Sequence, residues 1–148
     1  MRERADGERF AYEDGFSLTK YTMPVVRQMA EVIPGGFFIY RENEKRELIF
    51  HNKKVLEIYG CETEEEFRLL TGNTFPGMVH PDDFTAIQMS IDMQIDSAAG
   101  AEDHVTYRII RKDGEIRWVD DYGHFSHSPD YGDIYYVFIS DVTDRMEK

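Results

Sequence analysis

The chain has 148 residues, enough for one domain, with 17 basic and 29 acidic side chains and a formal net charge of −12. That balance argues against the basic stripe of a nucleic-acid surface and against docking to an anionic membrane. One cysteine, Cys61, excludes an intrachain disulfide, no apolar run approaches the ~20 residues of a membrane span, and the charged opening MRERADGERFAYEDG lacks a signal peptide's apolar core, so a cytoplasmic domain is expected.

Residues 1–16 read as a flexible leader and 17–33 as an N-terminal flanking helix. From 18 to 33, LTKYTMPVVRQMAEVI sets Val25, Met29, Val32 and Ile33 at helical spacing, with Thr22 as cap and Pro24 near the start. Pro34-Gly35-Gly36 ends it. FFIYR (37–41) and LIFHN (48–52), joined by the polar turn ENEKRE, read as a first hairpin. Two short helical pieces follow, KKVLEIYG and TEEEFRLL, the second opened by a capping box of Thr63 and Glu66. A longer helix, about 81–96, starts at Pro81 with Asp82 and Asp83 at the positive end of its dipole. It carries Phe84, Ile87, Ile91 and Ile95 as one apolar stripe, and Gly100 breaks the pattern. HVTYRIIR and EIRWVDDY around Asp113-Gly114 give a second hairpin, and DIYYVFISD a last strand apolar on both faces. Strands at both ends of a helical middle indicate an α+β fold.

The loop of the second hairpin has two solutions. A two-residue loop places Tyr107, Ile109, Ile116 and Trp118 on one face. A three-residue loop, 112–114, needs positive φ only at Gly114 and puts Val105, Tyr107, Ile109, Val119 and Asp121 together instead. Arg108 then lies opposite Trp118, beside Ile110 and Ile116. The doubly apolar last strand favours a sheet covered on both sides, with the 18–33 helix as second cover, and so the three-residue loop.

NTFPGMVHPDDF, YRIIRKDGEIRWV and VFISDVTDR, in this order, closely resemble the PAS domain of bacterial signalling proteins, in its fold-3 subgroup. The resemblance implies a PAS domain over 34–145: a five-stranded antiparallel sheet with helices on one face, often enclosing a small-molecule cavity. It also favours the three-residue loop. Residues 146–148 would begin a linker to an output domain, a diguanylate cyclase or a histidine kinase. In the family's exit motif, here Asp141-Val142-Thr143-Asp144-Arg145, Asp141 and Thr143 fix the junction between last strand and linker helix. The reactive cysteine of the light-sensing LOV branch has no counterpart in TGNTFPGM, and the 81–96 helix lacks the histidine of haem-binding relatives. Neither flavin nor haem is expected on these motifs.

Individual candidates are weighed against plainer roles. Asp121 faces the helices in the chosen register, where a carboxylate needs a partner or a shifted pKa; the plainer role is a strand end reaching water or a backbone donor. His80-Pro81-Asp82-Asp83 is better explained as a helix start than as a catalytic cluster. His124 and His127, three apart, do not converge on a metal along a strand and are expected on a solvated loop. Cys61 reads as a small semi-buried residue.

The expected function is a sensory module, itself not an enzyme. A small molecule or partner would contact a wall of Tyr107, Ile109, Val119, Asp121, Val137, Ile139, Ile87 and Ile91, and the signal would leave through Asp141, Thr143 and Arg145. One alternative is a ligand-free dimerisation or docking module using the 18–33 helix and the outward Ile110, Ile116, Trp118, Tyr136 and Phe138. A second is a small enzyme with Asp121 as base.

Overall fold

The computed structural model describes residues 16–97 and 101–147. The expected leader therefore lies outside the described residues except for Phe16, as does Gly100. The five strands are β1 (Gly36–Arg41), β2 (Leu48–His51), β3 (Glu102–Ile110), β4 (Ile116–Ser128) and β5 (Gly132–Asp141). They form one antiparallel sheet in the order β2-β1-β5-β4-β3, with the last strand in the middle. Helix α1 (Met23–Ala30) precedes the sheet, and α6 (Thr143–Met146) follows it. Between β2 and β3 run α2 (Lys53–Ile58), α3 (Glu64–Thr71), α4 (Phe75–Met78) and α5 (Pro81–Ser97).

Alternation along β1 and β5 builds two cores. Phe38, Tyr40, Val137 and Ile139 turn inward, against Phe67, Phe75, Met78, Ile87 and Ile91 of the helical layer. Phe37, Ile39 and Ile134 turn outward, where Leu18, Met23 and Ala30 cover them. A sheet sandwiched in this way explains why the last strand is apolar on both faces. In the inner core the Tyr40 ring lies between Phe75 and Tyr135, with centroids 4.7 and 5.0 Å away.

The N-terminal helix is shorter than the expected 17–33, and its covering face is different. Met23, Val26 and Ala30 face the sheet, whereas Val25, Met29 and Val32 are 56%, 63% and 82% exposed. Thr22 does not cap it: its Oγ1 accepts from the Thr19 N–H behind it, while Oγ1 of Thr19 receives the N–H groups of Tyr21 and Thr22. The capping box over α3 is half realised. Oγ1 of Thr63 accepts from Glu66 N–H, but the Glu66 carboxylate takes the N–H of Glu62 instead of that of Thr63.

Asn52, expected as the last residue of the second strand, is the N-cap of α2 and a buried tie between layers. Its Oδ1 accepts from Phe37 and Val55 N–H groups, and its Nδ2 donates to the carbonyls of Ala30 and Gly35. Replacing it strands several of these buried backbone groups at once. Asn52→Ala is therefore expected to lower unfolding free energy by about 2–4 kcal/mol in urea denaturation, with an unchanged denaturant slope.

Candidate functional site

The hairpin between β3 and β4 decides which side chains face the helices. Arg108 pairs with Trp118 and Ile110 with Ile116, and the Arg111 N–H donates to the Glu115 carbonyl at 2.9 Å. The loop is thus three residues long, closed by Gly114 at φ +89°. The Arg108 guanidinium lies 5.9 Å from the Trp118 ring centre on the outer face. The wall residues fall on the inner face: Tyr107, Ile109, Val119, Asp121, Val137 and Ile139 of the sheet, with Ile87 and Ile91 of α5, are all between 0 and 9% exposed.

Asp121 is buried in the middle of β4, not at a strand end reaching water. Tyr107 Oη donates to its Oδ2 at 2.7 Å. Burial pushes its carboxyl up to about 8, against the lowering effect of that hydrogen bond, and the Asp103 and Asp120 carboxylates push the same way. Burial also holds the Tyr107, Tyr59 and Tyr40 phenols well above their usual range. Tyr59 Oη is engaged by the Met78 carbonyl at 3.0 Å.

Asp103 belongs to the same face and was not singled out from the sequence. It pairs with Gly123, two positions along β3 from Val105, which pairs with Asp121. It is 5% exposed, and neither carboxylate oxygen has a hydrogen-bond partner among the described residues. Burial raises its carboxyl to about 6. The alternation Asp103, Val105, Tyr107, Ile109 was the signal that could have found it.

The remaining candidates take plain roles. His80 Nδ1 accepts the N–H of Asp82 at the start of α5, and Asp83 receives the N–H and guanidinium of Arg108, tying α5 to β3. His124 and His127 lie within the long strand β4 and not on a loop; they pair separately with Glu102 and Asp133. No three metal-binding side chains converge among the described residues. Cys61 is buried, which pushes its thiol up.

At the end of β5, Asp141 Oδ1 takes both the N–H and the hydroxyl of Thr143, and its Oδ2 takes Arg117 Nε at 2.9 Å. Thr143 Oγ1 in turn accepts the Trp118 N–H at 2.8 Å. From α6, Arg145 reaches Asp120 Oδ2 at 2.9 Å, while Thr106 holds Oδ1. Burial opposes ionisation of Asp120 and Asp141, but these hydrogen bonds hold both carboxyls below the usual range. On the outer face an open groove of about 1020 Å³ runs past Val26, Phe37, Tyr122, His124, Tyr136 and Phe138, and at Gly123 it reaches Asp103.

The pH dependence follows from Asp121. A carboxyl whose folded pKa is raised keeps its proton after the unfolded chain has lost it, so its stability contribution is full below about 3.9 and fades towards 8. His51, lowered chiefly by burial, opposes this only below its ordinary 6.5. Between pH 6.5 and 8, therefore, the melting temperature is expected to fall, and Asp121→Asn to flatten that fall, as read by circular dichroism.

Residues 48–138 match the model of a family described as the PAS fold. Among solved structures, the PAS domain of a Colwellia psychrerythraea protein is 17% identical, over 83% of this chain and 98% of that one, with a TM-score of 0.64. A PAS domain from a two-component sensor histidine kinase is 13% identical, over 84% and 99%, at 0.62. The Rhodobacter sphaeroides LOV protein is 15% identical, over 84% and 69%, at 0.66. No curated protein sequence matches the chain.

Proposed function

The chain belongs to the PAS fold family, and from this we propose that it is the sensory module of a larger bacterial signalling protein, working in the cytoplasm. A small molecule is received at the inner face, on the wall of Tyr107, Ile109, Val119, Asp121, Val137, Ile139, Ile87 and Ile91. The change leaves through Asp141, Thr143 and Arg145 to an output domain, a histidine kinase or a diguanylate cyclase. The likeness to a PAS domain from a sensor histidine kinase supports the first of these outputs. No helix among the described residues is long and apolar enough to cross a membrane.

The observation that carries this reading is the placement of two consecutive carboxylates. Asp121 looks inward and holds Tyr107; Asp120 looks outward and holds Arg145 of α6. A ligand that engages Tyr107 or Asp121 acts on the same stretch of β4 that anchors the exit helix. To move the junction it must favour one of two arrangements by differential affinity. An enzymatic role for Asp121 as a base has less support, since a carboxyl raised to about 8 holds its proton at neutral pH.

Tyr107→Phe removes only the hydroxyl that Asp121 receives. It is expected to speed hydrogen exchange at the Trp118, Val142 and Met146 amides, measured by NMR, with the fold retained. Unchanged exchange at those three amides, alongside altered exchange on β3 and β4, would disconnect the inner face from the junction.

A homodimer is a second element of the proposal. Val25 and Met29 of α1, with Val32 in the turn that follows it, form an exposed apolar edge next to the outer face, where Ile116 and Phe138 are 47% and 49% exposed. Val25→Asp is expected to convert a dimer to a monomer in analytical ultracentrifugation without lowering the monomer's melting temperature. A wild-type chain that stays monomeric at high micromolar concentration would remove this element.

A further inference from the structure

Asp103 takes no part in the path from Tyr107 to Arg145, yet it is the most poorly partnered charge-bearing group of the inner face. It is 5% exposed with both oxygens unbonded among the described residues. Its cross-strand neighbour Gly123 leaves it room: a Cβ at that position would stand 2.6 Å from Asp103 Oδ2. Glycine therefore keeps a notch that a carboxylate occupies, and at this notch the carboxylate borders the open groove.

The polar sheet groups nearest it on its own face are acidic or hydroxylic. Asp121 follows diagonally on β4, Tyr135 faces it from β5, and Tyr40 from β1. From α5 come apolar Ile91 and Ile95, while the Gln94 amide is spent on the His104 backbone. The bases on the same side of β4, Arg117 and His127, sit near its two ends and are held by Asp141 and Asp133. His104 stacks on Tyr122 outside the sheet, His51 is on the far edge strand, and Arg46 is taken by Glu42. His104, the base whose charge reaches Asp103, is paired with Asp120 at 3.5 Å, so an anionic ligand would find no free counter-charge here, whereas a cationic one would find two carboxyls.

We propose that Asp103, with Asp121, recognises a small organic ammonium, a protonated primary amine, on the inner face. This rests on the inner face being the ligand site. Diagonal neighbours on paired strands are roughly 7–8 Å apart at the backbone, which lets one nitrogen donate to a carboxyl on each side. Val105 and Ile91 supply apolar surface for its carbon chain. A metal ion fits less well, because no three ligating side chains converge among the described residues, whereas an ammonium needs only acceptors and opposite charge. Burial that already raises the Asp103 carboxyl to about 6 adds a signature: the ammonium favours the carboxylate, so binding near that pH releases a proton.

n-Butylammonium, 1-butanol and butyrate share a carbon chain and differ in charge. Each is titrated into the isotopically labelled full chain near neutral pH, following the amides of β3, β4 and α5. Butylammonium is expected to shift the amides around Asp103, Gly123 and Ile91 and to bind at least about tenfold more tightly than butanol. Butyrate is expected not to bind, and calorimetry near pH 6 should give a butylammonium heat that depends on the buffer. Asp103→Asn, which keeps the shape and removes the charge, should bring butylammonium to the level of butanol; should that variant fail to fold, the wild-type ranking decides. Binding of butanol or butyrate in preference, or undiminished butylammonium binding by the folded variant, overturns recognition of charge and leaves the inner face a ligand site. No inner-face shift with any of the three overturns both.

Discussion

One extra residue in a turn governs the chemistry of this molecule. The hairpin between β3 and β4 turns through residues 112–114, and Gly114 at φ +89° makes that possible without strain. Asp113 assists by accepting the Glu115 N–H, and Arg111 receives the Gly114 N–H. Shortening the loop by one would slide one strand against the other and reverse which of its side chains join the partner's inner face. Trp118 would then join Tyr107 and Ile109, and Asp121 would pass to the polar outside. The buried carboxyl, its tyrosine partner and the anchoring of α6 all depend on the register that this turn sets.

A register that buries acids has to be offset elsewhere. Both sheet faces contribute: the inner one packs against α2 to α5, the outer one against the N-terminal segment and α1. Most of the wall is fully apolar, and the stacked rings of Phe75, Tyr40 and Tyr135 continue it across the sheet. Each buried aromatic of this kind contributes on the order of 2–3 kcal/mol from burial alone. Asp121 accepts a phenol proton and stays neutral near pH 7, which limits its penalty; Asp103 has no such partner. The inner face is therefore well packed around a polar centre that is incompletely satisfied.

Much of this was legible in the sequence, for identifiable reasons. The five strands, the long helix with Ile87 and Ile91 inward, and the three-residue turn could be read because alternation, helical spacing and a glycine at a positive φ each leave a strong local mark. The failures lie where tertiary context chose between equal local options. Val25, Met29 and Val32 form as good a stripe as Met23, Val26 and Ala30, and only the position of the sheet decides which set is covered. Asn52 resembles a strand end until the carbonyls of Ala30 and Gly35 arrive at it. Asp103 was hidden by its charge, since an acid between Glu102 and His104 looks like a solvent-facing edge until the register turns it inward.

The two neighbouring carboxyls of β4 show how a rigid strand can join two environments. Alternation sends Asp120 and Asp121 to opposite faces, so their surroundings can differ completely although their backbones are contiguous. Asp120 is kept ionised by Thr106 and Arg145, and Asp121 is kept protonated by burial. Next to Asp121 in the pairing of β4 with β5, Val119 lies opposite Asp141 and Asp120 opposite Ser140. Those are the same residue pairs from which Thr143 and Arg145 hang. The proposed coupling between the inner face and α6 therefore spans only neighbouring residues of one strand, and not a long chain of contacts.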